Sequence, residues 1–289
     1  MRRMHELRIA TRSSDLAVAQ AHAVASMLQA AAPGIETRLV IVESAGDRDR
    51  VSPVAALTEM GAFVRSVQAA VLDGRADLAV HSLKDLPTDR PEGLVVAAYP
   101  ERRSPYDVLV GASLDRLEEG AVVGTGSPRR VAQLLALRPD LRTVELRGNV
   151  PTRIRRVHDG EVAAAILAEA GLARLGLTEA ITRRFSVDEI TPAPGQGVLA
   201  VETLADGPAR MTAAAIDDPE LRRLVEVERL LLSATGAGCR SALGALASSS
   251  ERGLSLSAFV QDELGPRRAT VHGDTPAAVV TAARKELRL

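Results

Sequence analysis

Short β-type runs alternate with longer helical ones along most of this chain. No other feature constrains the fold as tightly, because strand, helix, strand in succession builds a parallel sheet with helices laid against it. Leu7 to Arg12 reads as a strand. Ser13 or Ser14 then caps a helix whose Leu16, Ala19, Ala23, Val24 and Met27 recur at three- and four-residue steps as far as Pro33-Gly34. Glu36 to Glu43 is a second strand; after an irregular stretch from Ser44 to Met60 comes a helix from about Ala62 to Leu72, ended by Gly74, and Ala76 to Leu83 is a buried third strand. This βαβαβ order predicts a parallel sheet. The order restarts after the proline-bounded crossing Pro100 to Pro105, with AVVGTGS, helix PRRVAQLLALR, strand TVELRG, helix PTRIRRVHDG and strand VAAAILA. Thr191 to Thr203 reads as an extended return segment, and a boundary near Asp217-Asp218-Pro219 precedes an apolar helix from Leu221 to about Ser233. The strand-like ALGALA, LSLSAFVQ and RATVHG and a closing helix from Pro276 predict a small antiparallel α+β domain. The fold class is therefore α/β, two doubly wound units followed by a C-terminal α+β domain, as expected for 289 residues, too many for one core.

In open parallel sheets ligands gather outside the carboxyl ends of the strands. Three such turns, Thr11-Arg12-Ser13-Ser14, Gly124-Thr125-Gly126-Ser127-Pro128-Arg129-Arg130 and Arg147-Gly148-Asn149-Val150-Pro151-Thr152-Arg153, put arginine beside small polar residues. Ser127 is a good N-cap and Pro128 a good first helical residue, which places Arg129 and Arg130 in the first turn, where the helix dipole disfavours each cation by roughly 0.3 to 1 kcal/mol. Two solvated arginines are the plain explanation. An anion bound at the same N–H groups is the functional one, and recurrence at three turns, with Arg155 or Arg156 and Arg174 nearby, favours a ligand with several negative groups. No phosphate-loop motif occurs, and Gly124-x-Gly126 lacks the third glycine of a dinucleotide site. Guanidinium forks match carboxylates as well as phosphates, so a polycarboxylate is the simplest ligand.

Composition narrows the partners. The 36 Lys and Arg nearly cancel 37 Asp and Glu, so any basic site is local. With no Trp, two Tyr and three Phe, the chain lacks stacking platforms for nucleic acid. It has no apolar run long enough for export or membrane insertion, which predicts a cytoplasmic protein. The single cysteine, Cys239, excludes an internal disulfide and a Cys-rich metal site.

His81-Ser82-Leu83-Lys84-Asp85-Leu86-Pro87 ends the third strand and sets a carboxylate beside one of only two lysines. A surface ion pair would explain them. As strand neighbours they would point to opposite faces, so one of the two suffices for a ligand, and Asp85 is the choice. His81 reads as a buried structural histidine rather than a base. Cys239 lies in the small-residue loop Gly236-Ala237-Gly238-Cys239-Arg240. Free cysteines are usually inert, yet the glycines give access and Arg240 favours thiolate.

ATRSSDLA, HSLKDLP, VGTGSPRR, LRGNVPTR, AEAGLARLGL, PAPGQG and GAGCRSALG, in this order and over nearly the whole chain, resemble the porphobilinogen deaminase (hydroxymethylbilane synthase) family. The resemblance implies a cytoplasmic, monomeric enzyme of tetrapyrrole (haem) biosynthesis. Its two α/β domains would be similar to periplasmic binding proteins: residues 1–100 with 196–217 would form the first, 101–195 the second, and 218–289 a third bearing the cysteine. The implied reaction deaminates four porphobilinogen molecules and condenses them head to tail into hydroxymethylbilane. It elongates from a covalent dipyrromethane cofactor joined by a thioether to the cysteine matching Cys239. The family's catalytic aspartate matches Asp85. Its carboxylate-binding arginines match Arg12, Arg129, Arg130, Arg147, Arg153 and Arg174, accompanied by Ser14, Lys84, Thr125 and Ser127. No step calls for a metal. The chain departs from the pattern in the 44–60 loop, where Ala55-Ala56-Leu57-Thr58-Glu59-Met60 stands in place of the lysines often found there, and at Ala45, Ala237, Ala242 and Gly126. The alternative from another class is a non-catalytic polycarboxylate-binding protein on the same two-domain scaffold.

Overall fold

A computed structural model describes residues 6–42, 60–236, 242–250 and 253–289. They fall into two compact units, bounded as Met1–Arg102 with Val198–Arg222 and as Arg103–Gly197 with Arg223–Leu289.

Strands, numbered in chain order, begin in the first unit with β1 (Glu6–Arg12), β2 (Glu36–Val42), β3 (Leu78–Ser82) and β4 (Leu94–Ala98). These join β10 (Leu199–Leu204) in one sheet of order β2-β1-β3-β10-β4. In β1 the side chains alternate: Leu7 and Ile9 are fully buried on one face and Ala10 on the other. Helix α1 (Asp15–Ala31) starts where the Ser14 hydroxyl accepts from the Ala17 N–H at 3.4 Å. Its Ala21, Val24, Ala25 and Leu28 meet Leu7, Ile9, Leu78 and Val80, and full burial of each large aliphatic side chain contributes roughly 1.5 to 3 kcal/mol. Helix α6 (Ala209–Ala214) packs on that same face through Ala209 and Ala213. Helix α2 (Met60–Leu72) covers the opposite face with Val67, Ala70 and Val71 against Ala10, Ala79 and Leu94, so the sheet is wound on both sides. Strands β1, β2 and β3 are parallel as expected. The sheet as a whole is mixed, because β10, which the sequence marks only as an extended return segment, runs antiparallel between β3 and β4. The βαβαβ rule orders only strands joined by covering helices, and β10 returns from a distant part of the chain.

The second unit repeats the plan. Strands β5 (Asp107–Gly111), β6 (Val122–Gly124), β7 (Arg142–Val144), β8 (Ala164–Ala168) and β9 (Ile181–Arg184) lie in the order β7-β6-β8-β5-β9. Strand β6 is parallel to β7 and β8, and β5 is antiparallel to β8 and β9. Helix α3 (Pro128–Leu137) brings Leu134 to Leu109, Val123 and Ile166 on one face. Helices α4 (Val150–His158) and α5 (Glu169–Leu175) cover the other, where Ile154 and Leu172 meet Val108, Val110 and Leu167. The same unit contains the meander β11 (Ala242–Ser250), β12 (Gly253–Asp262) and β13 (Gly265–Gly273). Its Leu243, Leu254, Leu256 and Val271 are sealed by α7 (Pro219–Ala234) through Val227 and Leu231 and by α8 (Pro276–Leu287) through Val279 and Leu287. Among the described residues no helix is long and apolar enough to cross a membrane.

Candidate functional site

In the first unit the parallel register of β1 and β3 brings Arg12 and the residues after Ser82 to the same carboxyl edge of the sheet. Thr11 is fully buried and donates from its hydroxyl to the Ala17 carbonyl at 3.0 Å, tying the strand end to α1. Arg12 comes next, half-buried, its guanidinium carbon 4.0 Å from the centroid of the Phe63 ring on α2. Ser14 spends one acceptor site on capping α1.

Lys84 and Asp85 are not strand neighbours. They lie in a 3-10 turn, Leu83–Asp85, whose Leu86 N–H closes on the Leu83 carbonyl at 3.0 Å. The expectation that the two must point to opposite faces is therefore corrected, since that alternation belongs to extended chain and a 3-10 turn has three residues per revolution. Leu83 and Leu86 are buried at 1% and 0% exposure and pin the turn from below, while Lys84 and Asp85 are half-buried between them. The Leu83 N–H also donates to the Val198 carbonyl at 3.0 Å, and Gln20 donates to the Ser82 hydroxyl at 2.7 Å. The Asp85 backbone is fixed by hydrogen bonds and apolar anchors on both sides.

Beneath this turn lies a buried polar group. His81 Nε2 is 3.0 Å from Glu202 Oε2 on β10, and Gln68 Nε2 donates to the same oxygen at 2.9 Å. Burial raises the Glu202 carboxyl, but the hydrogen bond and charge of His81, with Gln68, outweigh it and hold it below its ordinary value. His81 is 7% exposed, in keeping with a structural histidine.

In the second unit β6, β7 and β8 all deliver their carboxyl ends to one edge, and β5, being antiparallel, delivers its first residue, Asp107, to that edge beside Ala168. Thr125 is buried and its hydroxyl accepts from the Ser127 N–H at 3.3 Å, while the Ser127 side chain makes no cap bond although it stands at the N-cap of α3. Arg129 and Arg130, 3% and 5% exposed, turn inward. Arg129 donates from Nη1 to Asp107 Oδ2 at 2.7 Å and to the Thr191 carbonyl at 2.6 Å. Arg130 donates from Nε to Asp107 Oδ1 at 2.9 Å and from Nη1 to the Ile166 carbonyl at 2.9 Å. The Gln196 amide adds a bond to Asp107 at 3.0 Å. The anion that the paired arginines called for is thus partly supplied by the chain itself. Burial pushes the Asp107 carboxyl up, yet the two guanidiniums and the Gln196 hydrogen bond overcome it and lower it to about 2. Two cations against one anion leave this interior cluster one positive charge in excess.

Of the remaining arginines, Arg147 and Arg153 flank the turn between β7 and α4, and Arg174 stands in the last turn of α5. Arg147 is half-buried with Nε 3.6 Å from Glu145. Arg153 donates from Nε to the Gly148 carbonyl at 2.8 Å across a turn capped by Asn149, which accepts from the Thr152 N–H at 2.9 Å. Arg174 donates to the Gly197 carbonyl at 3.0 Å. Cys239 lies outside the described residues, as do the 44–59 part of the loop, Ala237 and Arg240. Among the described residues no group of three His, Cys, Asp or Glu could hold a metal ion.

Sequence reasoning did not single out Asp107, Gln196 or Glu202. A signal existed for both acids: each is the lone charge in an apolar strand, DVLVG and VLAVET, and such a charge is expensive to bury unless paired.

Each of the two α/β sheets thus carries cationic and hydroxyl groups at its carboxyl edge, and the first also carries the Asp85 carboxylate there. The porphobilinogen deaminase, dipyromethane cofactor binding domain model matches residues 7–212. A porphobilinogen deaminase of Acidothermus cellulolyticus is 46% identical over 268 residues, covering 90% of this chain and 80% of that one, and one of Roseiflexus castenholzii is 44% identical over 247 residues, covering 84% and 82%. The chain belongs to the porphobilinogen deaminase family. A non-catalytic binding protein is accordingly disfavoured. Among solved structures, the periplasmic VFT2 domain of Bordetella pertussis BvgS matches at a TM-score of 0.44 and 14% identity, over 74% of this chain and 87% of that one.

Proposed function

We propose that this chain releases ammonia from porphobilinogen and joins four such units head to tail into hydroxymethylbilane, with Asp85 as the catalytic residue. The observation that carries the assignment is the placement of Asp85: a carboxylate at the carboxyl edge of the first sheet, its backbone fixed between buried Leu83 and Leu86, in a chain of this family. When ammonia leaves the aminomethyl group, positive charge spreads over the substrate's pyrrole ring and reaches its N–H. A carboxylate at about 4 Å, in an effective dielectric near 20, stabilises that charge by roughly 4 kcal/mol. That is on the order of a thousandfold in rate. A fixed carboxylate does this without reorganising at each turnover, which is what the pinned turn provides.

The fit to a dipyrromethane is judged on donor chemistry. Each pyrrole bears acetate and propionate groups; Arg12, Ser14 and Lys84 in the first unit, and Thr125, Ser127, Arg147, Arg153 and Arg174 in the second, offer the guanidinium, hydroxyl and ammonium donors that carboxylates take, so the donor chemistry fits. Joined through sulfur to Cys239, the cofactor supplies the nucleophilic pyrrole carbon from which the product grows. Arg129 and Arg130 act with Asp107 as a buried positive base to the second site, drawing carboxylates by the charge left over. Residues 1–100 with 196–217 hold the aspartate, 101–195 the arginine turns and 218–289 the cysteine. The reading carries with it a cytoplasmic enzyme working as a single chain on a small-molecule substrate.

Intact mass of the purified protein against the 30.5 kDa of the sequence tests the cofactor, and Asp85→Asn tests the mechanism. The variant should keep the pyrrole adduct and lose on the order of a thousandfold in turnover. An unmodified wild-type mass after exposure to porphobilinogen, or wild-type turnover by Asp85→Asn, would remove the assignment.

A further inference from the structure

Thr191, in the loop after β9, is 1% exposed and is gripped from two directions within the second unit. From α3, Gln133 brackets its peptide group: the Thr191 N–H donates to Gln133 Oε1 at 2.8 Å, and Gln133 Nε2 donates to the Thr191 carbonyl at 3.1 Å. Arg129, on the first turn of the same helix, donates to that carbonyl at 2.6 Å with the nitrogen that also bonds Asp107. From the C-terminal meander, Arg268 of β13 donates from Nη1 to Thr191 Oγ1 at 2.9 Å and from Nη2 to the Glu189 carbonyl at 2.8 Å, its guanidinium lying 4.9 Å from the centroid of the Phe259 ring. The next residue completes the junction, since the Ala245 N–H of β11 donates to the Pro192 carbonyl at 2.8 Å.

The Thr191 hydroxyl donates to the Val187 carbonyl at 3.0 Å and accepts from Arg268, so both its roles are assigned. Space is as tight as the hydrogen bonding. A Cβ at Gly244 of β11 would stand 2.7 Å from the Thr191 carbonyl oxygen and 2.9 Å from the Thr191 Cβ. A fully engaged polar junction, buried at Thr191 and Gln133 and closed from the exposed side by Arg268, specifies one geometry, whereas apolar packing alone tolerates sliding.

One end of this junction is the arginine turn of α3; the other is the meander, held at Arg268 of β13 and Ala245 of β11, and β11 begins at Ala242, shortly after Cys239 in the sequence. We propose that Thr191 is a positioning residue that locks the C-terminal meander, by its hydroxyl to Arg268 of β13 and through Pro192 to Ala245 of β11, to the arginine turn of α3, and so holds the meander and the positive cluster in one geometry during elongation. This rests on the attachment at Cys239 proposed above. A misplacement of about 1 Å at a remote junction is enough to cost up to about a hundredfold in a positioned reaction.

The test compares holoenzymes carrying Thr191→Val, which keeps the shape and loses the hydroxyl, Thr191→Ser, which keeps the hydroxyl, and Val271→Ala, which weakens the core of the same meander away from the junction. Each is measured for adduct mass, for kcat and KM, for the distribution of enzyme-bound complexes after limiting porphobilinogen, and for Tm. Thr191→Val should lower kcat about tenfold, hold KM within about threefold, and pile up one early complex, while Thr191→Ser stays within about twofold of wild type. Val271→Ala should lower Tm without moving the distribution. Should Thr191→Val not fold, Arg268→Lys, which keeps the charge and loses the fork, takes its place with the same expectation. A wild-type distribution and kcat in the hydroxyl-deleted variant, or the same pile-up in Val271→Ala, overturns the proposal. A wild-type protein with no adduct and no turnover instead overturns the function on which it rests.

Discussion

Asp107 organises the carboxyl edge of the second unit's sheet more than any residue named for binding. A fully buried carboxylate would ordinarily be pushed toward protonation, and here it is held at about 2 because Arg129, Arg130 and Gln196 converge on it. Its folded-state value lies below the ordinary 3.8, so its contribution to stability is complete above about pH 4 and is lost as the pH falls toward 2. The size is about 2 kcal/mol. Subtracting the stability curve of Asp107→Asn from that of wild type, each from denaturant melts, should isolate that fall between pH 4 and 2. At pH 7 the variant leaves two buried guanidiniums without their anion and should cost about 3 to 5 kcal/mol. Equal stability at pH 7 would mean that the arginines turn elsewhere once the carboxylate is gone. Asp107→Asn raises the local positive charge but removes the bonds that orient Arg129 and Arg130, so weaker retention of oligopyrrole complexes would show that their placement, and not charge alone, carries the proposed binding role.

At the scale of elements, legibility in the sequence followed how local each cause was. Helix α1 was readable because its start signal, Ser14, its apolar spacing and its stop at Pro33-Gly34 all lie within a few turns of one another. The three arginine turns were readable for the same reason. Strands β4 and β5 were not read because they flank the proline-bounded crossing and have no helix between them, and β9 was not because ITRR has no apolar alternation. The antiparallel insertion of β10 and the pairing of Arg129 with Asp107 are long-range events, and only tertiary structure decides them. Gly197, the last residue of the PAPGQG loop ahead of β10, is where a local signal does report a tertiary demand. It has φ +85°, and a Cβ there would stand 2.4 Å from the Arg103 carbonyl oxygen, whose neighbour peptide also uses Gly197, the Arg103 N–H donating to its carbonyl at 3.1 Å. Gly197→Ala should therefore lose about 2 kcal/mol or more from backbone strain and clash together. Thermal melts would check this, with Gly34→Ala as comparison, since Gly34 shares a positive φ of +94° but has open space around it. If the two variants melted alike, the close approach of Arg103 would be immaterial.

For the whole molecule, net charge is −1, so an acidic substrate is met by no general attraction and must be gathered by local fields. Those fields come in two kinds, and salt separates them. Arg147 and Arg153 sit half-buried on turn rims, where counterions reach them, while Arg129, Arg130 and Asp107 are enclosed. Raising ionic strength from about 0.1 to about 1 M shortens the screening length from ~10 to ~3 Å, which weakens the rim arginines and leaves the enclosed cluster and the short-range role proposed for Asp85 largely intact. KM for porphobilinogen should thus rise several-fold over that range while kcat changes by less than about twofold. In Arg147→Ala the rise in KM should be smaller, because part of what salt removes is already gone, and in Asp85→Asn the residual activity should show the same proportional rise as wild type. Steady-state kinetics of the three proteins across the salt series decides it. A kcat that falls in step with the rise in KM would place screening at the reacting ring, and the proposed division of labour between gathering arginines and a catalytic carboxylate would have to be given up.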